Sequence, residues 1–145
     1  VSPNRLLNLV RNKLPDNPES LLAGTPETAF NELTLEQVFD AVKQGDDFAK
    51  SCLDEIIKWF AIGLSNLVLT QDPDLVILHG IYSAAGKYFI EKLRKDLQSV
   101  TLKHLKKEVE LRFSPFGNEE GVIGAAHFVL AEYFEKSELY ENEKL

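Results

Sequence analysis

Apolar positions fall at helical spacing over most of the chain. Leu6, Leu7, Leu9, Val10 and Leu14 give an apolar face behind Ser2-Pro3, a pairing that suits an N-cap and first helical position. The stretch from Pro15 to Pro26 carries Pro, Asn, Asp and Gly and reads as a loop, with room for one helical turn near Glu19–Leu22. Thr34-Leu-Glu-Gln37 is a capping box, and the helix it opens places Leu35, Val38, Phe39 and Val42 inward before stopping at Gly45. Asp46 or Asp47 caps the next helix, which reaches about Thr70. Its apolar residues (Leu53, Ile56, Ile57, Trp59, Phe60, Leu64, Leu67, Val68) cover most of its circumference and predict a central, buried element. Gly63 costs about 1 kcal/mol against Ala inside a helix, so a close neighbour is expected there.

The period then changes. Pro73 ends the helix, and Leu75-Val-Ile-Leu78 is a continuous apolar run, the pattern of a short strand covered on both faces in a parallel sheet. His79-Gly80 follows, and a helix is expected over about Ser83–Gln98 with Tyr88, Phe89, Leu93 and Leu97 facing the core. Glu108 to Ser114 alternates strictly and predicts a second strand with one wet face, near an edge. Strand, helix, strand at this spacing is a βαβ unit. Asn118 is placed to cap a last helix whose Gly121, Gly124, Ala125 and Ala126 form a narrow face suited to close approach to the sheet. The tail from Ser137 is polar and mostly acidic. Phe89, Trp59 and Phe128 are read as core. The fold class is helix-rich α/β with a small parallel βαβ core.

Composition narrows the picture. A chain of 145 residues with 44% hydrophobic and 27% charged positions is one ordinary globular domain. A net charge of −7 argues against non-specific nucleic-acid binding by this segment. Cys52 is the lone cysteine, which excludes an intrachain disulfide and fits a reducing, cytoplasmic setting. No apolar run approaches the roughly 20 residues of a bilayer span. Two strands are too few for a stable parallel sheet, and the chain starts at Val1 without any methionine, so a piece of a larger protein is expected.

Ligands in open α/β sheets sit outside the carboxyl ends of strands, which singles out His79 and Gly80 as candidate cofactor-binding residues. Each has a plainer reading: His79 as a loop histidine with a satisfied hydrogen bond, Gly80 as the residue the sharp strand-to-helix turn requires. His104 and His127 lack neighbouring ligands for a metal, and the basic cluster at Lys103, His104, Lys106 and Lys107 reads as a solvated turn. Cys52 beside Asp54 and Glu55 is a poor nucleophile, because those charges raise its pKa. No catalytic residue and no metal ligand can be named from spacing.

From about Thr34 to Phe134 the chain resembles the C-terminal portion of the ROK family (repressors, open reading frames and sugar kinases). The resemblance rests on Gly63-Leu-Ser-Asn-Leu67, Asp72-Pro-Asp-Leu-Val-Ile77, Gly80, Ser83-Ala-Ala-Gly86, Val109–Ser114 and Gly121-Val-Ile-Gly-Ala-Ala126. It implies part of an actin-like ATPase (ribonuclease H-like) lobe, divided as an N-terminal helix and loop (1–33), the ROK-like lobe (34–136) and an acidic tail (137–145). The family's catalytic aspartate, phosphate-binding segment, sugar-binding segment and zinc site have no counterpart here, so no catalytic role and no cofactor of this piece follows. What carries over is the adenosine-binding turn, where kinases have consecutive glycines and this chain has His79-Gly80. An imidazole in place of a glycine should obstruct the nucleotide. That tilts the expectation to the regulator branch: the effector and dimerisation portion of a sugar-responsive repressor, homo-oligomeric. It would meet its sugar through an upstream segment and DNA through an N-terminal domain. The alternatives are a fragment of a sugar kinase phosphorylating hexoses and a non-catalytic helical interaction module.

Overall fold

The computed structural model describes residues 2–23, 33–100, 109–116 and 119–142, the side chains of Glu120 and residues 135–142 excepted. The chain forms two compact units, Val1–Phe113 and Ser114–Leu145.

In the first unit, helix α1 spans Pro3–Lys13 with Pro3 in the first turn. Ser2 occupies the N-cap position, but its side chain makes no capping bond; its carbonyl instead accepts from the Arg5 amide at 3.0 Å. Leu6, Val10 and Leu14 are at most 1% exposed, so this helix belongs to the core. Helix α2, Leu35–Lys43, begins with both halves of the expected capping box: Gln37 N–H donates to the Thr34 hydroxyl and Thr34 N–H to the Gln37 side chain. Helix α3, Asp47–Gln71, is capped by Asp46 and ends at Asp72, a residue with φ of 45°. A 3-10 turn over Ile81–Ala85 leads into helix α4, Gly86–Val100. Ala49, Cys52, Leu53, Ile56 and Ile57 of α3 pack with Val38 and Phe39 of α2 and with Phe89 and Leu93 of α4 in one apolar cluster.

The second half of α3 departs from expectation. Trp59 is 49% exposed and Leu67 47%, and a Cβ on Gly63 would meet nothing within 4 Å. The buried face of α3 turns around the helix as it proceeds, from Leu53 and Ile56 to Ala61, Ser65 and Val68. Leu67 and Leu69 on the opposite side of its last turns are exposed. Trp59 is covered only in part, with the Arg5 guanidinium 5.7 Å from its ring centroid.

Strands β1, Leu75–Leu78, and β2, Glu110–Phe113, pair in parallel with Leu75 opposite Glu110 and Leu78 opposite Phe113. The βαβ reading therefore holds, and β2 alternates as expected. The reading of β1 as covered on both faces does not: Leu75 is 40% and Ile77 59% exposed. Val76, Leu78, Leu111 and Phe113 face the helical core, and the helices of this unit pack on that side. Leu75, Ile77, Glu110 and Arg112 share the other, open face.

The second unit holds helix α5, Glu120–Asn142, which continues past Ser137. It is apolar without a single stripe, and Phe128, read as core, is 70% exposed. A Cβ at Gly121 or Gly124 would meet nothing within 4 Å. Asn118 and the basic cluster at 103–107 lie outside the described residues.

Candidate functional site at the end of the first strand

The chain leaves β1 through His79, which is exposed, and then Gly80, which is half-buried. Gly80 has φ of 92° and ψ of −168°, a conformation that side chains other than hydrogen rarely adopt. Its carbonyl accepts from the Ser83 amide at 3.0 Å, which closes the first turn of the 3-10 segment. Tyr82 and Ala85 point into the core at 8% and 1% exposure, while Ile81 stays 40% exposed. Gly86 adds a second positive φ, 67°, where the 3-10 turn passes into α4. The turn is thus pinned from below and open above, and a Cβ on Gly80 would meet nothing within 4 Å. His79 and Gly80 stand side by side at the carboxyl end of a parallel strand. That geometry lets a flat ligand come close to backbone at Gly80, with the His79 imidazole beside it.

Cys52 is buried, and burial pushes its thiol pKa up, with Glu55 and Asp46 adding to the effect. The direction agrees with the sequence reading, but desolvation is the main cause. His127 is exposed on α5, and His104 lies outside the described residues. No group of three His, Cys, Asp or Glu side chains suited to a metal occurs among the described residues. Nor is any described helix long and apolar enough to cross a membrane.

Sequence reasoning missed the polar knot around Asp46. Its carboxylate accepts from Ala49 N–H at 2.7 Å, Leu21 N–H at 2.5 Å and the Ser20 hydroxyl at 2.8 Å. Burial alone would raise its pKa, but these bonds and one from the Phe48 amide outweigh it and hold the carboxyl below its ordinary value. The cap itself was readable from Asp46-Asp47; the reach of Ser20 across 26 positions was not. A polar groove of about 660 Å³ runs beside this knot between residues 16–21 and 44–51. On α4, the Tyr88 hydroxyl donates to Asp54 at 2.8 Å, and burial followed by that bond raises its pKa.

The family model described as ROK family matches residues 19–132. A glucokinase of Thermotoga maritima is 30% identical over 108 residues, covering 74% of this chain and 33% of that protein. A glucokinase of Halalkalibacterium halodurans is 29% identical over 97 residues, 67% of this chain and 29% of that one. A xylose repressor of Caldicellulosiruptor bescii is 24% identical over 102 residues, covering 70% and 26%. The chain therefore spans about a third of the length of these two glucokinases. Among solved structures, a ROK family glucokinase from Streptomyces griseus in complex with glucose and AMPPNP superposes with a TM-score of 0.78 at 22% identity, over 88% of this chain and 42% of that one. The parallel two-stranded core and its helices are thus part of a fold seen in ROK kinases, the actin-like ATPase fold. The match over residues 19–132 shows that the chain belongs to the ROK family.

Proposed function

We propose that this chain is the later part of the nucleotide-binding lobe of a ROK sugar kinase, with the Gly80 turn lining the adenosine pocket. The observation that carries the reading is the backbone at Gly80: a left-handed φ of 92°, nothing within 4 Å of where a Cβ would stand, and a position at the carboxyl end of β1. The names of the relatives support it, since most of those matched are glucokinases. ATP would supply the phosphoryl group; the residues of this chain would hold its adenosine and contribute no acid, base or nucleophile. Transfer to the sugar would fall to residues of the fold outside this chain.

A second reading, the effector and dimerisation portion of a sugar-responsive regulator, is favoured by His79, whose imidazole stands where kinases of the family have glycine, and by the relative named as a xylose repressor. One titration separates the two. Mg-ATP added to the chain should shift the backbone amide resonances of His79, Gly80 and Ile81 in a saturable way. Unmoved resonances at millimolar ATP would overturn the kinase reading and favour the regulator. For the whole protein, the measurement is transfer of phosphate from ATP to glucose by the gene product that carries this chain.

A further inference from the structure

The turn that bears Gly80 is anchored by a single ring. Tyr82 lies among Phe39 of α2, Phe60 of α3 and Phe89 of α4, with centroids 6.0, 5.1 and 5.5 Å away; it meets Phe60 edge-on and stacks on Phe89. Phe89 in turn reaches Phe113 of β2 at 5.9 Å. The Tyr82 hydroxyl donates to the Ser2 carbonyl at 3.4 Å, at the start of α1. One side chain therefore joins the turn to four helices.

The segment it anchors is bounded by Gly80 and Gly86, both with positive φ. Glycine leaves the backbone free at both ends, so the direction of the turn must be fixed between them. Within that segment only Tyr82 and Ala85 are buried, and Ala85 has a single methyl group with which to hold. The aromatic contacts of Tyr82 supply both area and a preferred ring geometry.

We propose that Tyr82 is a positioning residue: it sets the backbone at Gly80 from beneath and thereby the affinity of the turn for nucleotide, without touching the ligand. The inference rests on the reading of this turn as adenosine-binding.

The test uses the whole chain and its Tyr82→Leu, Tyr82→Phe and Leu97→Ala variants. Hydrogen exchange at the Ser83 amide reports the turn, and a Mg-ATP titration reports the site. In Tyr82→Leu the Ser83 amide should exchange faster than in the wild type while core amides of α4 keep their protection. ATP binding should weaken about tenfold, the factor for one ligand hydrogen bond put out of place. Tyr82→Phe should retain both properties, and Leu97→Ala, which removes bulk from the core near the far end of α4, should leave ATP affinity within about twofold of the wild type, well short of the tenfold that marks a lost contact. Equal loss in Leu97→Ala, or no change in Tyr82→Leu, would overturn the proposal. Tyr82→Met, unbranched and more adaptable than leucine at similar volume, gives the same readouts where Tyr82→Leu does not fold. A wild-type chain that binds no ATP would sink the nucleotide reading instead; the anchoring role would then stand or fall on Ser83 exchange alone.

Discussion

At Gly80 the constraint is conformational, not steric. A methyl group there would meet open space, yet the backbone conformation costs about 1–3 kcal/mol for any other residue. Gly80→Ala should therefore lower stability by that amount in urea denaturation, with the fold retained. His79→Gly should raise affinity for ATP a few-fold in the titration described above, because the imidazole is the bulk beside the turn. Asp46 acts differently, as a charge held by donors. Asp46→Ala should cost about 1–2 kcal/mol, the upper range for an N-cap, since the Ser20 hydroxyl and Leu21 amide also lose their acceptor. The Asp46 carboxyl has a lowered folded pKa, so its stabilisation is present above the unfolded carboxylate value of about 4 and is lost as pH falls through the folded value. The gap between wild type and Asp46→Ala should accordingly shrink as the pH is lowered below about 4, as measured by urea midpoints across that range.

Among the elements, those written in local chemistry were legible. The capping box at Thr34-Gln37, the Asp46 cap, the Pro73 stop and the alternation of β2 each depend on neighbours close in sequence, and each stands where the pattern places it. Thr34→Ala should lower the thermal midpoint by the equivalent of about 1 kcal/mol. What the pattern could not supply was which apolar face finds a cover. The helix through Trp59 to Val68 and the run Leu75–Leu78 read as buried because they are rich in apolar residues, but burial needs a partner element; within this unit Trp59 is covered only in part, beside Arg5, and Leu67, Leu75 and Ile77 stay exposed. Gly63 follows the same logic: with nothing within 4 Å of where a Cβ would stand, Gly63→Ala should stabilise α3 by about 0.5–1 kcal/mol, read from urea unfolding.

On the scale of the molecule, the sequence resemblance to the ROK family carried the fold, while its finer branch turned on a single side chain. The regulator expectation rests on His79, whereas the matched relatives are mostly named glucokinases. The candidate site was legible as a position, His79-Gly80 at the end of β1; its anchor was not, because Phe39, Phe60, Tyr82 and Phe89 converge from segments up to 50 positions apart. The central claim is that this strand-end turn receives the adenosine of ATP. The most direct measurement is the amide spectrum of the chain titrated with Mg-ATP. Saturable shifts centred on His79, Gly80 and Ile81 are expected, and no shift at Asp46 or the α2–α3 turn. A spectrum that stays unchanged, or shifts confined to residues away from β1, would contradict it.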